Sequence, residues 1–140
     1  MNIIAWLVTG LGLVISSSVM KKESSGQLSL YEGQWKLQKI HSVEKVISAD
    51  EKSFIHFDRL KESAGGNGGC NVFGSTINVT GQSIRFSDIF STKMYCDGVQ
   101  AREDLFFQLL GKSDRFEING QQLMLYHDKD LLLEFVHTDK

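Results

Sequence analysis

Proline is absent from this 140-residue chain, cysteine occurs only twice, and acidic and basic residues nearly balance at a formal net charge of −2. Each scarcity excludes something. Without proline, turns must be built from glycine, asparagine and aspartate, the residues that tolerate positive φ. Without a basic surplus the chain lacks the electrostatic footprint of a nucleic-acid binder, and Lys21-Lys22 is its one tight basic pair. Charged residues make up 23% and hydrophobic residues 41%, which suits a soluble globule rather than a disordered chain. The length allows one domain with a small core, in which a single cross-link counts for much.

Charge is also missing locally, because Ile3 to Met20 contains no charged residue. The stretch reaches the lower bound for a bilayer-spanning helix. It also fits the apolar region of a signal peptide, with Ser16-Ser17-Ser18 as candidate cleavage positions. No cysteine follows it, so the lipid-attachment site of a lipoprotein is lacking. No Lys or Arg precedes it, and Lys21-Lys22 follow it, which for an anchor favours a cytoplasmic C-terminal side. Residues 1–20 are expected to be a signal peptide or membrane anchor, with an inward-facing anchor or an artefactual extension as the alternatives. Residues 21–29, including Ser24-Ser25-Gly26-Gln27, read as a flexible linker, and residues 30–137 as the folded domain.

What the body does contain is short apolar runs between turn signals. Gln34 to Gln38 alternates polar and apolar, as does Phe54-Ile55-His56-Phe57, each the pattern of a half-buried strand. Ser42 to Lys52 reads as a loop, with Val43, Val46 and Ile47 able to form a turn of helix. Ala64 to Gly69 reads as a glycine-rich bend. Phe73, Ser75, Ile77 and Val79 share one face of a long strand that ends at Thr80-Gly81, and Ile84 and Phe86 share a face of the next, before a gap at Ser87-Asp88 and Ser91-Thr92. Asp97 is placed to cap a helix through Val99, Arg102, Phe106 and Leu110, with Gly111 as its stop. Phe116 and Ile118 lead into Asn119-Gly120, a strong hairpin signal, followed by Leu123 and Leu125 and then a β segment from Leu131 to Val136. These signals predict a mostly β (α+β) domain of seven or eight short antiparallel strands with one helix.

The ordered set Trp35, Phe57, Gly69-Cys70-Asn71-x-Phe73, Ser91-Thr92-Lys93-Met94-x-Cys96, Glu103-x-x-Phe106-Phe107-x-x-Leu110 and Leu123-x-Leu125 resembles the META domain, also called the HslJ-like family. The resemblance covers about Leu30 to Phe135. The chain departs from the family pattern at Ser75, where a glycine is usual, and has Gly74 instead. The resemblance implies a small, barrel-like antiparallel sheet with one helix. It also implies a place in the bacterial envelope, an association with heat-shock and stress responses and antibiotic tolerance, and no catalytic activity to carry over.

Candidate chemistry is sparse beside it. Cys70 and Cys96 can form a disulfide, as suits an even count in a small exported domain. Such a bond is worth roughly 3–3.5 kcal/mol at most on the chain-entropy account. They can also be two buried free thiols in a cytosolic protein, or include a catalytic thiol, which the lack of Cys-x-x-Cys and of an adjacent histidine disfavours. His41, His56, His127 and His137 fall in different elements without metal-ligand spacing. They are expected to be exposed strand or turn residues. The run Ala64 to Gly69 lacks the Gly-Lys-Ser/Thr ending of a phosphate loop, and a strand follows it. Asn71 and Thr92 can contact a ligand or satisfy irregular backbone, the latter being the commoner use. Glu103 can pair with a base, although an acid on a helix is ordinarily solvated. Trp35, Phe57, Phe73, Phe86, Phe106 and Phe107 read as core.

The expectation is therefore a non-enzymatic, extracytoplasmic envelope domain with a structural, stress-response or protein-binding role, the rival being a small-ligand carrier that uses the barrel interior. No cofactor, metal or nucleic acid is expected. The expected partner is a protein or envelope component, with membrane attachment through residues 3–20 left open and a monomer anticipated.

Overall fold

The computed structural model of the chain describes residues 26–140 together with Gly10 and residues 12–15. The expected signal peptide or anchor over residues 1–20, and the linker as far as residue 25, otherwise lie outside the described residues. Among the described residues no helix is long and apolar enough to cross a membrane.

Among the described residues nine strands and one helix follow in the order β1 (Gln34–His41), β2 (Val46–Ser48), β3 (Phe54–Asp58), β4 (Ser63–Asn67), β5 (Val72–Thr80), β6 (Ser83–Ser91), α1 (Gln100–Lys112), β7 (Arg115–Asn119), β8 (Gln122–His127) and β9 (Asp130–Thr138). All pairings are antiparallel. The sheet runs β2-β1-β3-β4-β5-β6-β7-β8-β9, and β1 also pairs with β9, so the strands close into a ring. β1 can serve three neighbours because it splits one side between two of them. Its N-terminal end pairs with β3 and its C-terminal end with β2, while its other side pairs with β9. A bulge against β9 between Leu37 and Lys39 shifts the register. That shift turns Trp35, Leu37 and then Ile40, rather than Lys39, toward the core.

The weakest seam lies between β6 and β7, where only Ser83 and Arg115 pair. The chain that would have continued the ladder forms α1 instead, which packs against β6 and β9. Its Phe106 is fully buried, with ring centroids 5.5 Å from Phe73 and 6.2 Å from Phe135. Trp35, Leu37, Ile55, Leu110, Leu123, Leu125 and Leu133 join Phe106 and Phe135 as fully buried side chains. The ring therefore encloses a packed interior, as small barrels can.

The mostly β, barrel-like architecture with one helix agrees with the sequence pattern, and the differences are local. Residues Ser63–Asn67 form β4 between β3 and β5 instead of a bend. Val46–Ser48 is a strand rather than a helical turn. β6 continues through Ser87 and Asp88, with its register against β5 slipping between Gly74 and Thr76. Ser75 sits at that slip, buried, and its hydroxyl donates to the carbonyls of Thr76 and Ser87 at 2.8 and 2.9 Å. α1 starts two residues after Gly98 with Val99 at its cap position and no side-chain cap bond, so Asp97 does not cap it. Gly111 lies inside the helix, which ends at Lys112, where the Ser113 amide donates to the Leu110 carbonyl.

Candidate functional site

The two cysteine blocks meet at the start of α1. Leaving β4, the chain turns through Gly68 and Gly69, with the Gly69 amide donating to Asn67 Oδ1 at 2.7 Å and the Gly68 amide to the Asn71 carbonyl at 2.9 Å. Gly69 adopts φ +123°, and a Cβ there would lie 2.8 Å from Val99 Cγ1, so glycine is required on both counts. This tight turn delivers the backbone amides of Cys70 and Asn71 to one carboxylate oxygen. Glu103 Oε2 accepts both, at 2.7 and 2.6 Å.

Glu103 lies in the first turn of α1 and is only 1% exposed. The solvated acid expected at this position is instead the centre of a buried network. A carboxylate suits the first turn because the helix dipole is positive there, and here the same charge also satisfies donors from another segment. Glu103 Oε1 accepts Asn71 Nδ2 at 2.6 Å. Asn71 Nδ2 also donates to the Met94 carbonyl at 3.1 Å. Asn71 Oδ1 in turn accepts the Met94 amide at 2.7 Å and the Thr92 hydroxyl at 2.9 Å. Both donors and both lone pairs of the Asn71 carboxamide are thereby used. Internal satisfaction of irregular backbone is the role found for Asn71 and Thr92.

Cys70 and Cys96 are joined by a disulfide with their Cα atoms 5.8 Å apart, and the described residues include no free cysteine. The bond ties the residue before Asn71 to the loop that Asn71 also grips. Cys70, Asn71, Thr92, Met94, Cys96 and Glu103 are thus brought together, with Gly69 shaping the turn and Phe73 packing beneath against Phe106 and Phe107. Ser91 flanks the group, its hydroxyl 3.4 Å from Lys93 Nζ. Trp35 stands apart in β1, its indole N–H donating to the Leu30 carbonyl at 2.9 Å. Val72, Phe90, Met94 and Tyr95 were not singled out in the sequence for exposure. They are 59%, 70%, 59% and 77% exposed, all in or next to the two cysteine blocks.

The histidines do not converge. His41 Nε2 lies 2.7 Å from Glu134 Oε2 and His127 Nδ1 3.0 Å from Asp114 Oδ2. His56 stacks on Phe54. His137 is largely buried, edge-on to Trp35 at 5.2 Å and 3.1 Å from the Glu32 carbonyl, unlike the exposed position expected for it. Among the described residues no three His, Cys, Asp or Glu side chains are grouped to hold a metal ion. The network is a fastening: its hydrogen bonds hold two loops and a helix end together.

Comparison with known proteins bears on this geometry. The sequence model of the META domain matches residues 28–140. No curated protein matches the chain. A protein from Burkholderia xenovorans solved by NMR is similar in fold, with a TM-score of 0.66 at 18% identity, over 79% of this chain and 85% of that one. A crystal structure of a DUF4847 family protein from Bacteroides vulgatus is similar with a TM-score of 0.57 at 13% identity, over 79% of this chain and 96% of that one.

Proposed function

The chain belongs to the META domain family, and from that premise we propose that it is a non-enzymatic binding module of the bacterial cell envelope. In this reading it acts as a monomer on the oxidising side of the membrane, in a structural or stress-protective role. The observation that carries it is the mutual consumption of the polar side chains in the two cysteine blocks. Asn71, Thr92 and Glu103 bond to one another and to backbone, so they build a rigid surface and are themselves engaged in holding it. The disulfide supports an oxidising compartment, where such bonds persist.

A partner protein would cover the exposed apolar side chains around that fastening, chiefly Phe90 and Tyr95. Exposed aromatic side chains on a rigid base are the usual anchors of protein interfaces. The small-ligand alternative requires an open interior, and Trp35, Phe106 and Phe135 occupy it. Native mass spectrometry that found a co-purified metabolite would restore that alternative.

The test combines location with binding. The tagged protein is fractionated from its host, and its thiols are alkylated before and after reduction. Envelope extracts are then captured on the wild type and on a Phe90→Ser/Tyr95→Ser variant. The expected result is an extracytoplasmic, alkylation-resistant protein that retains a specific partner lost in the variant. A cytosolic protein with free thiols, or identical capture by both forms, would defeat the reading.

A further inference from the structure

We infer that the hydrogen bonds of Asn71 and Glu103, rather than the sulfur–sulfur bond, bring Cys70 and Cys96 together, so that the reduced domain folds first and the disulfide closes on a site already in its native shape. Asn71 is then a positioning residue for oxidation. The inference is independent of what the domain binds.

The geometry points this way because the segment carrying Cys96 is pinned on both sides without any help from sulfur. On one side, both the amide and the carbonyl of Met94 are bonded to the Asn71 carboxamide, and the Thr92 amide donates to the Val72 carbonyl at 3.0 Å. On the other side, Val99 lies against Gly69, and its amide donates to the Cys96 carbonyl at 3.2 Å. Both anchor points therefore rest on residues 69–72, the segment that carries Cys70. From Met94 to Cys96 is a reach of two residues, about 7 Å at full extension. The Cys70 amide is meanwhile held by Glu103, so neither cysteine is free to leave the other's vicinity.

An unfolded chain has to close a loop between positions 26 apart to join the same sulfurs, whereas the folded chain has closed it already. The two thiols therefore face each other at high effective concentration before any oxidant acts. Oxidation then proceeds by exchange. One thiolate of the pair attacks oxidised glutathione and releases one glutathione. The second attacks the resulting mixed disulfide and releases another. The protein loses two electrons and two protons, and the oxidant becomes two thiols.

The test equilibrates the full-length chain, in mild detergent, with reduced and oxidised glutathione, and follows the fold of the reduced form by near-ultraviolet circular dichroism. The reduced wild type should keep its native aromatic spectrum. Asn71→Ala should lower the effective concentration of the thiol pair at least about tenfold, the factor carried by a buried charge-assisted hydrogen bond. Thr92→Val removes one bond to Asn71 and leaves both bonds to Met94, so it should lower that concentration by a smaller factor. An unfolded reduced wild type overturns the inference, as does a folded Asn71→Ala protein with an unchanged equilibrium. Should Asn71→Ala not fold, Thr92→Val decides the matter, and an equilibrium equal to that of the wild type overturns it.

Discussion

Glu103 Oε2 accepts the backbone N–H of Cys70 at 2.7 Å, from a residue 33 positions away in sequence. The same oxygen accepts the amide of Asn71, while Oε1 accepts the Asn71 side chain. All three donors are therefore presented to a carboxylate that has no proton to offer in return. A buried acid is costly unless it is paired or fully bonded, and here the bonds come from two backbone amides and a carboxamide.

Glu103→Gln tests that arrangement with almost no change of shape. The new NH₂ group must face either the two backbone amides or the Asn71 NH₂. Rotating Asn71 to relieve the clash turns its own NH₂ onto the Met94 amide, so one donor–donor contact survives in every arrangement. The variant should lose about 2–3 kcal/mol of stability, measured by urea denaturation. A loss within error of zero would mean that the carboxylate is not needed.

Replacing both Cys70 and Cys96 with serine should cost up to about 3.5 kcal/mol on the chain-entropy account. Thermal melts should shift downward, yet they should stay cooperative because the Asn71 bonds remain. A chain without a cooperative transition would show that the disulfide is required for folding itself.

Gly66→Ala and Gly65→Ala distinguish a tightly packed strand from a bend. A Cβ on Gly66 would come within 2.0 Å of the Phe54 carbonyl oxygen, whereas on Gly65 the nearest atom is 3.1 Å away. The Gly66 variant should lose about 3 kcal/mol through forced backbone movement, and the Gly65 variant should lose distinctly less. Equal losses, read from denaturant midpoints, would contradict the register of β4.

Tyr126 should ionise later than its ordinary value of 10.0. Burial is the leading cause, followed by the negative charge of Glu117, whose Oε2 accepts the phenol O–H at 3.2 Å. The Arg115 guanidinium over the ring, 4.1 Å from its centroid, opposes the shift. Because the folded value is raised, the contribution of the neutral phenol is complete below the unfolded value and is lost as pH climbs through the folded one. Absorbance titration at alkaline pH should show a late phenol that disappears in Tyr126→Phe. A titration identical in the two proteins would refute the assignment.

Much of the fold was legible because it rests on local alternation. Phe73, Ser75 and Ile77 share a buried face of β5, as their spacing in sequence implied. A hairpin does join β7 to β8 where Asn119-Gly120 signalled one, although Asn119 ends β7 opposite Gln122 and the two-residue loop is Gly120-Gln121. β4 was illegible for the opposite reason. Glycine has no side chain to alternate, and the segment is a strand because β3 and β5 flank it and leave room for nothing larger at Gly66. The helix start was misplaced because Asp97 matches a capping residue by type. The chain before α1 is directed instead by the Cys96 turn and the contact between Val99 and Gly69.

The amino-acid order alone determined a small, mostly β domain, its hairpins, and two cysteine blocks of recognisable kinship, since those properties depend on neighbours a few positions apart. Whether Glu103 would be a solvated acid or a buried fastener was decided only by tertiary structure. Its three donors sit on a loop more than thirty positions earlier, and no local pattern announces a hydrogen bond whose other half arrives only when the ring of strands closes.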